Sequence, residues 1–308
     1  MTGVLASWRD TPARTAILDF VERVTTAGST TFVPPAARVA VFDNDGTLWC
    51  ERPTYAQALF LLERLGEQAA ADPALADRPV VRALLAGDLA AAFAMGADVV
   101  GPVLLGTHAG WTAEAYATAA SDWLGRARHP RFGVTWPELV YRPMLDLIDL
   151  LGAQGFRTFV VTGGGVEFVR SFAEAAYGIP PDDVVGTAVE TEVERRDGRL
   201  TLVRRPALAH GLVNEGEPKP RLIQAHVGVR PILAAGNSAG DAEMLEYAST
   251  GPLPSLALVI DHDDDEREYA YESRSATDAT AEPILETAAR LGWQVVSMRR
   301  DWATVFGA

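Results

Sequence analysis

Short apolar runs rich in β-branched residues alternate with segments of helical spacing through most of the chain. Strand patterns lie at residues 39–43, 157–161, 231–235, 256–260 and 294–297. Helical patterns lie at residues 143–154, 166–177, 220–227, 240–247 and 284–291, after a leading helix marked by Ile17, Phe20, Val21 and Val24. Because strands linked through helices run parallel, this order predicts an α/β fold with a Rossmann-like, doubly wound parallel sheet. Residues 189–194 and 200–204 flank Asp197-Gly198 and predict a β-hairpin.

Residues 49–136 interrupt this alternation. They form Ala- and Leu-rich helical patterns at 55–70, 80–95 and 112–126, with breaks predicted at Pro73, Pro79, Gly101-Pro102 and Pro130. The sequence therefore predicts a helical cap at residues 49–136, inserted after the first strand at the end of the sheet where ligands bind. The remaining residues, 1–48 and 137–308, are predicted to form the α/β core.

Charge and composition narrow the possible partners. The formal net charge of −14 and the pI near 4.8 disfavour binding to nucleic acid and to anionic membrane surfaces. A single cysteine, Cys50, excludes an intrachain disulfide framework and a zinc cluster built on thiolates, and the five histidines are scattered. The sequence shows neither a secretory leader pattern nor an apolar run approaching a membrane span, so we expect a cytoplasmic protein.

Two carboxylates lie at the end of the first strand pattern and directly after it. Asp43 and Asp45 are one residue apart, so in an extended segment they face the same side, and Gly46 favours a turn directly after them. Two like charges this close need a cation, and a small hard ion such as Mg²⁺ is often bound together with a substrate phosphate. A calcium loop or an Asx turn is the alternative, since Asp-x-Asp-Gly serves both. A calcium loop would need a preceding helix and a Glu at its twelfth position, where Thr54 stands.

Two further strand patterns end in polar loops, and a lysine lies between them. Thr162-Gly163-Gly164-Gly165 offers backbone amides and a hydroxyl to an anion, although Gly-rich turns after strands are common. Lys219 could neutralise a phosphate, although most lysines are merely solvated. Asn237 and Asp241 could coordinate a cation, or could belong to a capped helix start. Because parallel strands share one carboxyl edge, we expect these groups to converge.

In this order the motifs resemble those of the haloacid dehalogenase superfamily of phosphohydrolases, and most closely its phosphoserine phosphatase type with a helical cap. The four motifs are Asp43-Asn44-Asp45-Gly46-Thr47, Thr162-Gly163-Gly164, Lys219 and Gly236-Asn237-Ser238-Ala239-Gly240-Asp241. Segments 141–144, 163–170, 267–271 and 301–302 resemble a bacterial subgroup of unassigned or broad-range phosphatases.

The resemblance implies a role for each motif. Asp43 would attack phosphorus and form an aspartyl phosphate, and Asp45 would serve as general acid and then general base. The Asp43 side chain, the Asp45 backbone carbonyl and Asn237 would bind Mg²⁺, assisted by Asp241. Thr162, Gly163, Gly164 and Lys219 would bind the transferring phosphoryl group.

The chain departs from the family pattern at two positions and leaves substrate selection to the cap. Asn237 and Ala239 stand where many relatives carry Asp, so we expect weaker Mg²⁺ binding. Glu51 and Arg52 are possible substrate-binding residues, because a Glu near this place meets the substrate amino group in phosphoserine phosphatases. The alternative is a solvated hinge pair.

Other polar and aromatic groups have plainer interpretations. The acidic run at residues 261–265 is typical of a solvated helix start, and Trp111, Tyr116 and Trp123 are typical of cap core.

The sequence thus predicts a Mg²⁺-dependent phosphatase, a metal-binding hydrolase that acts on a small phosphorylated metabolite. Two alternatives remain: a phosphotransferase or mutase that uses the same intermediate, and a catalytically silent binding protein that keeps the fold.

Overall fold

A six-stranded parallel sheet forms the centre of the protein. The computed structural model describes residues 3–275 and 280–307. Its strands there are β1 (Val39–Phe42), β2 (Arg157–Gly165), β3 (Val184–Thr187), β4 (Val189–Arg196), β5 (Arg199–Leu208), β6 (Leu233–Gly236), β7 (Leu256–Asp261) and β8 (Gln294–Ser297). The sheet order is β3-β2-β1-β6-β7-β8, and β4 and β5 form a separate antiparallel hairpin. The predicted doubly wound sheet and the predicted hairpin are confirmed.

Helices cover both faces of this sheet. The α-helices of the described residues are α1 (Pro12–Thr25), α2 (Ala56–Ala71), α3 (Pro73–Ala76), α4 (Pro79–Leu85), α5 (Leu89–Phe93), α6 (Ala97–Gly106), α7 (Ala113–Arg126), α8 (Arg142–Ala153), α9 (Val166–Arg170), α10 (Ala173–Tyr177), α11 (Pro218–His226), α12 (Ala242–Ser249), α13 (Ile284–Leu291) and α14 (Met298–Asp301). None of the helices in the described ranges is long and apolar enough to cross a membrane.

The central strand β1 is buried along its whole length because both of its faces are covered. Ala40 and Phe42 pack into the core layer that includes α1 and α8. Val39 and Val41 pack on the opposite side, with α11, α12 and α13. This alternation follows from the two-residue period of a strand, and it leaves the next residue, Asp43, at the carboxyl edge of the sheet.

Helices α2 to α7 occupy most of residues 49–136, as the sequence predicts, but their breaks differ. The predicted break at Gly101-Pro102 is wrong, because α6 runs through Pro102. Val100 and Val103 of α6 are buried with residues of α2 and α4, and this packing outweighs the backbone hydrogen bond that proline cannot donate. The predicted helix at 80–95 is divided into α4 and α5 at Gly87, whose φ is +75°.

The second half of the chain also differs in detail from the pattern. The short strand β3 was not predicted, β2 continues through Gly165, and the predicted helix at 166–177 is divided into α9 and α10. The β4–β5 hairpin packs against α6 and α7. The Gly110 amide donates to the Arg204 carbonyl, and the Arg204 amide donates to the Trp111 carbonyl, each at 2.9 Å. The hairpin therefore extends the helical layer although it follows β3 in sequence.

Candidate active site

The carboxyl edge of the sheet brings the predicted residues of three segments together around one ammonium group. Lys219 Nζ lies 2.7 Å from Asp43 Oδ1 and 2.5 Å from Asp241 Oδ1. Asp43 follows β1, and its amide donates to the Ala235 carbonyl of β6 at 2.9 Å. The other Asp241 oxygen, Oδ2, accepts from the amides of Asn237 and Ser238, which holds the carboxylate in orientation.

Lys219 is the only lysine in the chain, which contains 26 arginines. It lies in the first turn of α11, and only 2% of its surface is exposed. Burial lowers the pKa of its ammonium group, but the charges of Asp241 and Asp43 outweigh this effect, so the pKa lies above its ordinary value. Lys219 is therefore a permanent cation in this site. The absence of any other lysine from the sequence is a second signal for this residue, in addition to its place among the motifs.

The environment of Asp43 favours its protonated form over its ionised form. Burial raises the pKa of Asp43 well above its usual range, the nearby Asp241 charge raises it further, and Lys219 acts in the opposite direction. One ammonium shared by two buried carboxylates leaves an excess of negative charge. The site thus favours either a proton or an additional cation.

Asp45, two residues after Asp43, lies near the Gly-rich end of β2. Its Oδ1 accepts a hydrogen bond from Trp49 Nε1 at 2.8 Å. Burial raises the pKa of Asp45 above its ordinary value, and the Trp49 hydrogen bond acts in the opposite direction. A Cβ at Gly164 would lie 3.7 Å from Asp45 Oδ2, so these two motifs are in near contact.

Two backbone amides at the end of β2 already donate hydrogen bonds to side-chain oxygens, unlike the free amides of an open helix N-terminus. Thr162 is fully buried, and its Oγ1 accepts from the Gly164 amide at 2.9 Å. The next amide, of Gly165, donates to Gln57 Oε1 of α2 at 2.7 Å. The sequence did not indicate Gln57, because nothing local marks one glutamine of a helix as a contact to a strand more than a hundred residues away.

The turn after Asp45 leaves no space for a side chain. Gly46 has a φ of +73°, and a Cβ there would overlap the Asn237 side chain. Asn237 Oδ1 lies 3.3 Å from Thr47 Oγ1, and its Nδ2 lies 3.3 Å from Glu51 Oε1. The first and fourth motifs therefore pack directly against each other.

The oxygen atoms at this edge fit a small hard cation. Among the described residues, no three His, Cys, Asp or Glu side chains form a metal-binding group. The predicted ligands are not limited to these residue types. They include the Asn237 side-chain amide and the Asp45 backbone carbonyl besides Asp43 and Asp241. These are the oxygen donors that Mg²⁺ prefers, and their excess negative charge would be neutralised by it.

Glu51 and Arg52 lie beside this cluster but point in different directions. Glu51 is buried against Asn237, and burial raises its pKa while the His262 charge acts in the opposite direction. The Arg52 guanidinium lies over the Tyr271 ring, 4.0 Å from its centroid. The structure thus brings Glu51 to the fourth motif and leaves Arg52 stacked outside it.

The acidic run at residues 261–265 is not a solvated helix start. His262 and Asp264 are buried, and Asp263 Oδ2 accepts from Ser297 Oγ at the end of β8. His262 Nε2 lies 2.8 Å from the Gly46 carbonyl oxygen. Because His262 follows β7 at the same carboxyl edge, the rule that located the other motifs could have located this residue too.

Comparison with known proteins identifies the class of this fold and site. The model of the haloacid dehalogenase-like hydrolase family matches residues 40–246, well over half of the chain. The chain belongs to this family, as its motifs predict. No curated protein matches the sequence.

Solved structures show the same fold at low sequence identity. A protein with unknown function from Bordetella pertussis Tohama I is 20% identical, with 84% of this chain and 97% of that chain covered and a TM-score of 0.51. A conserved functionally unknown protein from Anaerococcus prevotii DSM 20548 is 15% identical, with 96% and 94% covered and a TM-score of 0.58. These likenesses support the fold and leave the substrate open.

Replacement of Lys219 by methionine should destabilise the protein by about 3–5 kcal/mol, because it leaves two buried carboxylates without their shared cation. The free energy of unfolding, measured by urea denaturation without metal, tests this. The loss should be larger at pH 8 than at pH 5, since acid protonates the unpaired carboxylates.

Arg221→Met is the matched control on the same helix. Arg221 is 68% exposed and pairs with Glu217, so its loss should change stability by less than about 0.5 kcal/mol. Equal stabilities of Lys219→Met and the unaltered protein would show that the lysine does not hold the carboxylates together.

Proposed function

We propose that this protein is a Mg²⁺-dependent phosphatase that hydrolyses a small phosphomonoester through an aspartyl-phosphate intermediate. One observation carries the proposal: Asp43, Asp241 and Lys219 meet at the carboxyl edge of the sheet, with Asp45 and Thr162 beside them. Membership of a hydrolase family supports the reaction class. The phosphate specificity rests on the chemistry of these side chains.

Asp43 is the proposed nucleophile. Its carboxylate oxygen would form a bond to phosphorus in line with the departing alkoxide, and the product would be an acyl phosphate on Asp43. Water would then attack the same phosphorus and release inorganic phosphate with the Asp43 carboxylate restored. The lysine hydrogen bond to Asp43 Oδ1 orients this carboxylate throughout.

Asp45 is the proposed general acid and base. Its raised pKa favours the protonated form needed to give a proton to the leaving alkoxide. The resulting carboxylate would then take a proton from the attacking water, so one residue serves both displacements. The Trp49 hydrogen bond keeps Oδ1 in place and acts to lower the pKa of Asp45.

The remaining polar groups would stabilise the transferring phosphoryl group. Thr162, the amides of Gly163 and Gly164, and Lys219 would contact its oxygens. The Asp43 side chain, the Asp45 backbone carbonyl, Asn237 and Asp241 would hold Mg²⁺. When bound, the ion would add positive charge against the phosphoryl oxygens.

Residues 49–136 are the proposed cap over this site, with the rest of the chain as the core. Gln57 of α2 contacts the Gly165 amide, so this layer lies directly above the phosphate-binding strand. Glu51 and Arg52, at the start of the same segment, are the proposed contacts to the non-phosphate part of a small phosphorylated metabolite.

The purified protein should hydrolyse p-nitrophenyl phosphate and release free inorganic phosphate when Mg²⁺ is present. Chelation with EDTA should abolish this turnover, and Ca²⁺ should not restore it, because its larger and looser coordination misplaces the reacting oxygens. Colorimetric assays of nitrophenol and phosphate provide the measurement. Phosphate passed to an added alcohol without free release would indicate a phosphotransferase, and equal rates in EDTA would contradict the metal requirement.

Asp43→Asn should reduce kcat by several orders of magnitude without lowering the metal-free melting temperature. The folded state raises the pKa of Asp43, so the ionised carboxyl opposes folding increasingly as the pH rises through that pKa, and an amide removes this penalty. Turnover and melting curves at pH 8 measure both effects. Asp10→Asn, at a carboxyl that is 94% exposed, is the control and should change neither value. Near-normal turnover of Asp43→Asn would remove the nucleophile assignment.

Trp49→Phe should move the pH profile of kcat to higher pH. The variant removes a hydrogen bond to the ionised form of Asp45, so the carboxyl pKa rises further. The proton donor then persists to higher pH, and the basic limb of the profile shifts upward. Trp136→Phe is the matched control, because this buried indole packs beside Trp49 and its N–H has no hydrogen-bond partner among the described residues. Coincident profiles for all three proteins would contradict the role of Trp49.

A further inference from the structure

A buried histidine from outside the four motifs contacts the turn that carries both catalytic aspartates. His262 directly follows β7, and 2% of its surface is exposed. Its Nε2 lies 2.8 Å from the Gly46 carbonyl oxygen, and its Nδ1 lies 3.3 Å from Glu268 Oε2. Nε2 therefore faces the turn, and Nδ1 faces the carboxylate of Glu268.

The ring is held firmly in this position. Glu268 is fully buried, its Oε2 accepts from the Tyr269 amide at 2.6 Å, and its Oε1 accepts from Tyr141 at 3.1 Å and from Cys50 at 3.0 Å. Tyr271 stacks on the imidazole, with ring centroids 4.3 Å apart. A histidine fixed by a carboxylate on one nitrogen directs the other nitrogen accurately.

The turn that receives this contact is sterically demanding. Gly46 adopts a φ of +73°, and its amide donates to the Trp49 carbonyl at 2.9 Å. His262 Nε2 also lies 3.5 Å from Asn237 Nδ2, so the imidazole touches the predicted metal-binding amide as well. A shift of the Gly46 peptide would alter the direction of the Asp45 carbonyl that precedes it, because adjoining peptide planes share one Cα.

We propose that His262 is a positioning residue that holds the Asp43–Gly46 turn through the Gly46 carbonyl, with Glu268 fixing its ring. The role deepens the proposed phosphatase function and rests on it for its kinetic readout. His262 is not a catalytic residue, since its ring is enclosed by Gly46, Asn237, Glu268 and Tyr271. It acts through the alignment of the nucleophile and of the oxygen atoms that would hold Mg²⁺.

The test compares His262→Leu, which removes the donor, with His262→Gln, whose amide nitrogen can replace Nε2. We expect His262→Leu to lower kcat and to raise the Mg²⁺ concentration for half-activation, each by roughly 10–100-fold, with a smaller change in KM. His262→Gln should recover much of both losses. His129→Gln and His129→Leu are the controls, because His129 is equally buried and its Nε2 lies 2.6 Å from a different carbonyl, that of Arg52.

A second readout is independent of turnover. Lys219 is the only lysine, so protein labelled with ¹⁵Nζ-lysine carries one side-chain ammonium probe, and that probe lies against Asp43. Titration with Mg²⁺ alone should shift this resonance at a similar midpoint in the unaltered protein and the His129 variants, and at a roughly 10–100-fold higher midpoint in His262→Leu.

The possible outcomes separate the two proposals. Unchanged kcat and Mg²⁺ midpoint in His262→Leu would overturn the positioning role, as would equal losses in the His129 variants or no recovery in His262→Gln. An unaltered protein without phosphatase activity would overturn the proposed function, and the lysine resonance would still decide whether His262 aligns the turn.

Discussion

One ammonium group between two carboxylates is the interaction on which the site depends. The carboxyl ends of β1 and β6 place Asp43 and Asp241 near each other in a region from which water is largely excluded, where two like charges are unfavourable without a cation. The compact ammonium of Lys219 satisfies both from a single point, whereas a planar guanidinium would spread its donors more widely. Positioning of the proposed nucleophile and stability of the sheet edge are therefore parts of the same arrangement.

The sequence predicts much of this arrangement because the relevant rules are local or topological. The two-residue period of an extended segment predicts Asp43 and Asp45 on one side, and parallel strands must open onto one edge. From these two constraints the convergence of Asp43, Thr162, Lys219 and Asp241 follows without knowledge of side-chain packing. The structure brings Asp43, Lys219 and Asp241 into direct contact, and family membership agrees with the ordered motifs.

The contacts that the sequence does not predict depend on packing between distant segments. His262 reaches Gly46 across more than two hundred residues, and its neighbours in sequence are acidic residues typical of a solvated turn. Pro102 lies within α6 because buried valines on that helix outweigh a lost hydrogen bond. The β4–β5 hairpin joins the helical layer through backbone contacts at residues 110, 111 and 204, which any sequence could make.

Gln57 gives the helical layer a direct influence on the strand below it. Its side-chain oxygen accepts a hydrogen bond from the Gly165 amide at 2.7 Å, as an oxygen of a bound anion could. An incoming anion that used this donor would have to displace the glutamine, and its departure would let the glutamine return. Anion binding at this N–H would then be linked thermodynamically to displacement of the helical layer.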